Sequence, residues 1–348
     1  MNPKAKKFLS NFFFGFISNE HAIEGAKSHP WWVGLIIAVF AVTLPVVPIT
    51  VSQARSYGSS FLSKNVYRFD QNIANVTVDL AKDNKEFKVE EAYLNYYIGE
   101  TAQVVDIVKD KTPVAQHISA STNQYELVVY YTQREKNDLK TFVNEINSLT
   151  YKVGTVEAPE DGYEGSLYSP SFIVLSSGSI YTKINKDDST EAGSNTYTNF
   201  STDWKHMEGF KLVANALPEG KTATTVDLNS EDDVAAIFKN WKTYYNKAFI
   251  TQKNYNTWMT SLLFLGIYVA LEFVMGLLVF LLTRGKNNMF NYLKFIDTHK
   301  IVWWASLCPA ILAMIAGFIF SNFAQMIFII LLGLRIMWIS MRQLRPQQ

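Results

Sequence analysis

The sequence predicts an α-helical integral membrane protein of four spans, with a large extracytoplasmic α+β domain set between the first and second spans. Three observations predict it. Residues 28–54 contain no Lys, Arg, Asp or Glu, residues 254–283 contain only Glu272, and residues 301–334 contain none. About 20 apolar residues of helix cross a bilayer core, so each stretch is long enough to span. Between the first two lies a polar block, residues 55–253, with 21 Lys and Arg against 27 Asp and Glu, a net of −6. Finally, the short flanks are basic: Lys4, Lys6, Lys7 and Lys27 before the first stretch, Arg284, Lys286, Lys294 and Lys300 after the second, and Arg342 and Arg345 in the tail. Short basic flanks stay cytoplasmic. Both termini are therefore expected inside a cell membrane, and residues 55–253 outside.

In chain order, residues 1–30 form a cytoplasmic leader. Phe12, Phe13, Phe14 and Phe16 beside its lysines suit a segment lying in the membrane interface, or equally a helix packed on the spans. Span 1 is placed at 31–53. Its apolar run from Trp31 to Val51 exceeds the roughly 7–15 residues of a signal peptide, so retention is expected despite a loose cleavage pattern at Ser52-Gln53-Ala54.

The outer domain is placed at 54–256 and has no cysteine, the lone Cys308 lying within a span. Without disulfides it must rely on an ordinary apolar core, which its length allows. Val76–Leu80 and Glu86–Glu90 read as a hairpin around Asp83-Asn84. Tyr125–Thr132, Tyr151–Val156, Phe172–Ser176 and Ile180–Ile184 read as further strands. Leu139, Phe142, Val143, Ile146 and Leu149 fall at helical spacing over 138–149. A second helix is expected from Asp203 to before Pro218. A third is expected after an N-cap at Ser230, with Val234, Ile237, Phe238, Trp241, Tyr245 and Phe249 as its apolar stripe. Asn185–Asn199 reads as a loop.

Span 2 is placed at 257–283, followed by a cytoplasmic loop, 284–300. As one helix the last apolar stretch would reach about 51 Å, beyond a core of about 30 Å. A hairpin turning at Ser321-Asn322 resolves this, giving spans 3 and 4 at 301–320 and 323–341 and a tail at 342–348.

Few constellations carry chemistry. Asn185, Asp187, Ser189 and Glu191 alternate like calcium ligands, but Thr190 and Thr196 stand where an EF-hand needs Gly and Glu. His117 and His206 are the only outer histidines, and no HExxH, G-x-S-x-G or phosphate-cradling glycine loop occurs. No catalytic residue, cofactor site or metal site is expected, and the acidic domain excludes a nucleic-acid surface. The exception is Glu272, near the middle of span 2, where a charge costs several kcal/mol. Tyr268 and Gly276 lie one turn to either side, and Arg335 in the last span is its natural partner, forming a candidate intramembrane polar pair; alternatively Arg335 snorkels to the headgroups.

The proline-containing first span, with Leu44-Pro-Val-Val-Pro48, leads into an outer α+β domain and three C-terminal spans. Within that domain stand Asp79-Leu-Ala-Lys-Asp-Asn-Lys-Glu-Phe-Lys-Val89 and Phe172-Ile-Val-Leu-Ser-Ser-Gly-Ser-Ile-Tyr181. This layout resembles the uncharacterised bacterial membrane proteins labelled maltodextrin-utilisation proteins. The resemblance implies an accessory role beside a sugar-uptake system and supplies no catalytic residues. The expected function is non-enzymatic: the outer domain binds a partner or ligand, with membrane lipid and another membrane or envelope protein, such as a transporter complex, as partners. The rival is a small transporter or channel component working through Glu272.

Overall fold

A computed structural model of the chain describes residues 18–63, 68–103, 112–133, 136–185, 196–202, 204–284, 288 and 290–344. The aromatic run of the leader, the centre of the 185–199 loop with Asp187, Ser189 and Glu191, and Asp203 lie outside them. The chain divides into two compact units, Ser56–Lys253 and a helical unit formed by Met1–Arg55 with Asn254–Gln348.

Among the described residues the helical unit begins with α1 (Asn19–Ser28), α2 (Trp31–Thr43) and α3 (Val46–Ala54). Helices α2 and α3 meet at a 41° bend at Pro45, where a proline removes a backbone donor and redirects the chain. Helix α1 packs within the unit: a side chain at Gly25 would come within 2.7 Å of the Trp304 ring, so only glycine lets the two approach. Both expectations for the leader concern its aromatic run, which lies outside the described residues.

Unit 56–253 begins with α4 (Phe69–Lys82), followed by strands β1 (Lys85–Glu90), β2 (Tyr93–Ile98) and β3 (Thr101–Gln103). Here the structure corrects the sequence reading: Val76–Leu80 is helix, not strand. A window of five β-rich residues fits a period of 2, but Phe69, Ile73, Val76 and Leu80 together fit 3.6, and all are buried. The hairpin partner of β1 is β2, in the register Lys85 to Ile98 through Glu90 to Tyr93.

Next come β4 (Ala115–Ile118), β5 (Tyr125–Thr132), α5 (Lys136–Asn147), β6 (Tyr151–Lys152) and β7 (Leu167–Tyr168). Strands β8 (Ser171–Ser176), β9 (Ser179–Ile184) and β10 (Thr196–Ser201) follow. The larger sheet runs β10-β9-β8-β5-β4, antiparallel except for β5 and β8, which pair in parallel. The expected strand at Tyr151–Val156 shrinks to two residues paired with β7.

Strand β5 is buried on both faces, as a central strand should be. Val128 and Tyr130 meet Leu139, Phe142, Val143 and Ile146 of α5 on one side. Leu127, Val129 and Tyr131 face the main core on the other, with α4 and with Val234, Ile237, Trp241 and Tyr245.

The single helix expected from Asp203 to Pro218 is instead a 3-10 turn, Lys205–Met207, and the short α6 (Leu212–Ala216). Between them the backbone extends to pair with β1: the Val89 N–H donates to the Phe210 carbonyl at 3.0 Å, and the Gly209 N–H to the Val89 carbonyl at 2.9 Å. An extended edge with open hydrogen-bonding groups outcompetes the local helical pattern. Helix α7 (Glu231–Ala248) matches its expectation, except that the Ser230 side chain makes no cap bond. Asp233 instead accepts from the Asp227 N–H at 2.9 Å, and both of its carboxylate oxygens accept from the Lys221 ammonium at 2.6 Å.

The chain then re-enters the helical unit with α8 (Ile250–Leu282), α9 (Phe295–Ile319) and α10 (Ala324–Trp338). The last continues as a π-helical turn, Ile339–Gln343. Three helices, α8, α9 and Ala324–Gln343, are long and apolar enough to cross a membrane; α2 and α3 add a fourth if the bent pair counts as one span. A 3-10 turn at Ser321–Phe323 separates α9 from α10, where the hairpin was expected. Helix α9 starts at Phe295, six residues before the expected span, which brings His299 into the helical core. The outward faces carry Trp258, Leu262, Leu263, Phe318, Ile319 and Ile330, an apolar surface far beyond what water tolerates.

One buried charge in unit 56–253 yields a pH prediction. Lys183 is 3 % exposed and donates to Ser169 Oγ at 2.8 Å, and among the described residues no carboxylate pairs with it. Burial lowers its pKa from the ordinary lysine value of 10.5. Between that lowered pKa and 10.5 the unfolded chain binds more protons than the folded one, so stability rises with pH across the window. Lys183→Met is expected to stabilise the protein by about 1 kcal/mol at pH 7. Denaturant titrations should show the gain shrinking as pH approaches 10.5.

Candidate functional site

The helical unit holds the first candidate. The inward face of α8 carries Tyr268, Glu272, Gly276 and Val279, the four residues of that helix that are buried. Their spacing is one turn each, so the helix turns this stripe to its neighbours and its other faces outward. Glu272 is 3 % exposed, and the hydroxyl of Ser306 on α9 is the polar group facing its carboxyl. Its Oε1 has no hydrogen-bond partner among the described residues.

Arg335 is differently engaged. Its Nε donates to Asn19 Oδ1 at 2.9 Å and its Nη1 to the Ala305 carbonyl at 2.9 Å. The second bond follows from a proline. Pro309 lies inside α9 and has no N–H, so the carbonyl four residues earlier, that of Ala305, loses its helical donor. Arg335 supplies the missing one. The two members of the expected pair thus approach successive residues of α9, Ser306 and Ala305, and among the described residues no ion pair joins them. The sequence showed both polar residues but not the carbonyl that competes for the guanidinium. Pro309, read four residues back, was the signal that could have found it.

A second candidate lies in unit 56–253, in a cleft of about 710 Å³ lined by Glu90, Glu91, Tyr93, Asn95, Tyr97, Gln133, Ser177 and Glu208. Gln133 and Ser177 directly follow β5 and β8, so the cleft opens at the carboxyl ends of the parallel pair, a place where sheets commonly leave room for ligands. Its other wall is the β1–β2 hairpin.

That hairpin turns at Glu91-Ala92, both with positive φ, 54° and 67°. Such a turn favours Asn-Gly, because a side chain in this region costs roughly 1–2 kcal/mol per residue. The carboxylate of Glu208 holds it, accepting the Glu91 N–H at 3.0 Å and the Ala92 N–H at 3.2 Å. Glu90 accepts from the Lys88 ammonium and the Tyr97 hydroxyl, which hold its pKa below the usual 4.5. The bond to Glu90 pushes the Tyr97 hydroxyl up to about 12. Glu90 and Glu208 are therefore committed, whereas Glu91 points its carboxylate outward and Tyr93 is 59 % exposed. None of these residues stood out in the sequence, since Glu-Ala is no turn signal and its clamp lies over a hundred residues away.

The clamp is testable. Glu208→Ala hands two exposed backbone donors back to water and is expected to cost about 1 kcal/mol. Ala92→Gly, which relieves the strained φ, should recover part of that loss in the double variant; thermal unfolding of the three proteins checks both.

Among the described residues no group of three or more His, Cys, Asp or Glu is placed to hold a metal ion. Comparison with protein-family models, with curated proteins and with solved structures finds no match for this chain.

Proposed function

We propose that the chain is a non-enzymatic, four-span protein of a bacterial cell membrane, with both termini cytoplasmic and residues 55–253 outside. Its outer unit binds a partner or ligand through the cleft beside the Glu91-Ala92 turn. The observation that supports this most is the turn itself: two residues are held in a costly conformation by Glu208, beside a cleft of ligand size. Strain of this kind collects at binding sites, where the fold holds a loop in a shape it would not adopt alone.

The lining suits a ligand rich in hydroxyl or cationic donors. Asn95, Gln133 and Ser177 offer short polar contacts, Glu91 a free acceptor and Tyr93 an aromatic face. With Glu90 and Glu208 committed, no carboxyl pair is left for acid and base roles, which favours binding over hydrolysis. The resemblance to maltodextrin-utilisation proteins makes an accessory role at a sugar-uptake system the fitting context, with maltodextrins or a transporter component as occupant.

The experiment is binding to the full-length protein in detergent. Maltooligosaccharides are titrated by calorimetry, and transporter components are sought by co-purification after gentle solubilisation. Tyr93→Ala and Glu91→Gln should each weaken whichever interaction is found by at least about tenfold, or roughly 1.4 kcal/mol. An interaction indifferent to both changes removes the cleft from the proposal. Topology is checked with single cysteines at Glu160 and Tyr292 in a Cys308→Ala background. An impermeant reagent on intact cells should label only the first.

A further inference from the structure

The stripe on α8 continues across to α9. His299 is 4 % exposed and lies directly on Gly276, so close that a side chain there would meet its ring at 2.5 Å. Its Nδ1 donates to the Phe295 carbonyl at 2.9 Å; a carbonyl only accepts, so the proton of the neutral ring sits on Nδ1. Nε2 is thereby left as the basic nitrogen, and among the described residues it has no partner. Glu272 stands one helical turn from Gly276, a distance of about 6 Å along the face. Its Oε1 and the buried Tyr268 hydroxyl likewise lack partners among the described residues.

Three unpartnered polar atoms on one seam of an apolar bundle are costly, because each donor or acceptor left unmade keeps its full desolvation penalty. Packing does not call for them: Tyr268 already meets Phe328 edge-on at 4.9 Å, and His299 meets Phe295 at 4.2 Å and Phe273 at 5.3 Å. An acid and an imidazole in that position do what hydrocarbon side chains cannot: they take and give protons.

We propose that Glu272 and His299, flanked by Tyr268 and Ser306, form a proton-binding site inside the helical bundle. The Glu272 O–H gives its proton to a bridging water, which passes one on to His299 Nε2. A neutral acid and a neutral imidazole become a carboxylate and an imidazolium, and the net charge of the pair does not change. Such a transfer costs far less in a bundle than creating one isolated charge. Ser306, whose hydroxyl lies 2.9 Å from the Trp303 carbonyl that accepts it, also faces the Glu272 carboxyl.

The elements packed here carry other titratable groups: Glu20, His21, Glu24 and Lys27 on α1, which packs on α9, and Asp297 at the start of α9, whose carboxylate accepts the Lys294 N–H at 3.0 Å. On α9, Lys300 lies against Gly34 of α2, and Cys308 lies beside Arg335. Arg335 of α10 is held by Asn19 and the Ala305 carbonyl. Helix α3, whose Thr50 bonds Ser261 of α8 at 2.7 Å, carries none.

The test uses dicyclohexylcarbodiimide, an apolar reagent that adds only to protonated carboxyls, on the full-length protein in detergent, with the modified residue located by mass spectrometry. Glu272 should be modified, with the labelled fraction falling as pH rises from 5 to 9. At pH 8, His299→Gln should raise that fraction about tenfold, because the neighbouring cation that favours the carboxylate is gone. Absence of modification at Glu272 across the whole range, a labelled fraction indifferent to pH, or equal labelling in the wild type and His299→Gln overturns the proposal. Should His299→Gln fail to fold, His299→Phe, which keeps the ring contacts with Phe295 and Phe273, replaces it, and labelling equal to the wild type again overturns the proposal.

Discussion

Trp241→Ala is expected to cost unit 56–253 about 3–5 kcal/mol, close to the limit of what a single truncation removes. Trp241 is 1 % exposed on α7, packs edge-on against Tyr244 at 5.6 Å and lies against Tyr245 at 6.1 Å. Its Nε1 donates to Thr77 Oγ1 at 2.8 Å, and Thr77 in turn donates to the Ile73 carbonyl at 2.6 Å. The change therefore opens a large cavity and leaves a buried hydroxyl with one bond fewer. Trp241→Phe keeps most of the volume and should lose only about 1–3 kcal/mol, the part owed to the bond and the smaller ring. Residues 56–253 have their own core and are expected to fold when produced alone, so chemical denaturation of that unit measures both variants. Equal losses for the two substitutions would assign the whole effect to the hydrogen bond.

Arg335→Met should destabilise the helical unit by about 3 kcal/mol, since it strands the Ala305 carbonyl and the Asn19 side chain together. The cause can be isolated. Pro309→Ala restores a helical N–H that can reach the Ala305 carbonyl, so the loss on Arg335→Met should be markedly smaller in that background. Non-additivity of this sign is what a shared acceptor requires. Glu272→Gln, by contrast, should combine with Arg335→Met additively, because the two side chains serve different groups. Thermal unfolding in detergent of the single and double variants gives the comparison. A large favourable coupling between Glu272 and Arg335 would return them to a direct pair.

Much of the fold was legible because its signals are local and repeated. Runs of 27 residues or more with at most one charge marked the apolar helices, and the stripe from Val234 to Phe249 marked α7. The strands Tyr125–Thr132 and Phe172–Ser176 stood out because a central strand buried on both faces is apolar throughout. Where local signals conflict, a distant contact decides. Val76-Thr-Val reads as strand until the three turns that contain it are packed beneath Trp241. The segment after Asp203 reads as helix until the free edge of β1 captures Gly209 and Phe210. The sites were harder still. Glu272 announced itself by being a charge among apolar residues, but Arg335 took its partners from Pro309 and Asn19. His299 sat among the polar residues of an expected loop, and the cleft is assembled from four separated segments whose composition is unremarkable.

The bond between Asn19 and Arg335 joins residues 316 apart in the sequence. During synthesis the first helix must therefore wait, without this contact, until the ribosome has delivered nearly the whole chain. At 5–20 residues per second, the usual pace of translation, that interval is roughly 15–60 s. Unit 56–253 is made entirely within it, and its own long-range bond, Trp241 to Thr77 across 164 residues, closes before the last helix exists. The order of assembly is thus written into the contacts: the inserted unit can be finished first, and the bundle is locked last. A ribosome-stalled chain ending before Arg335 should accordingly show the Trp241 environment already formed and α1 still open to protease.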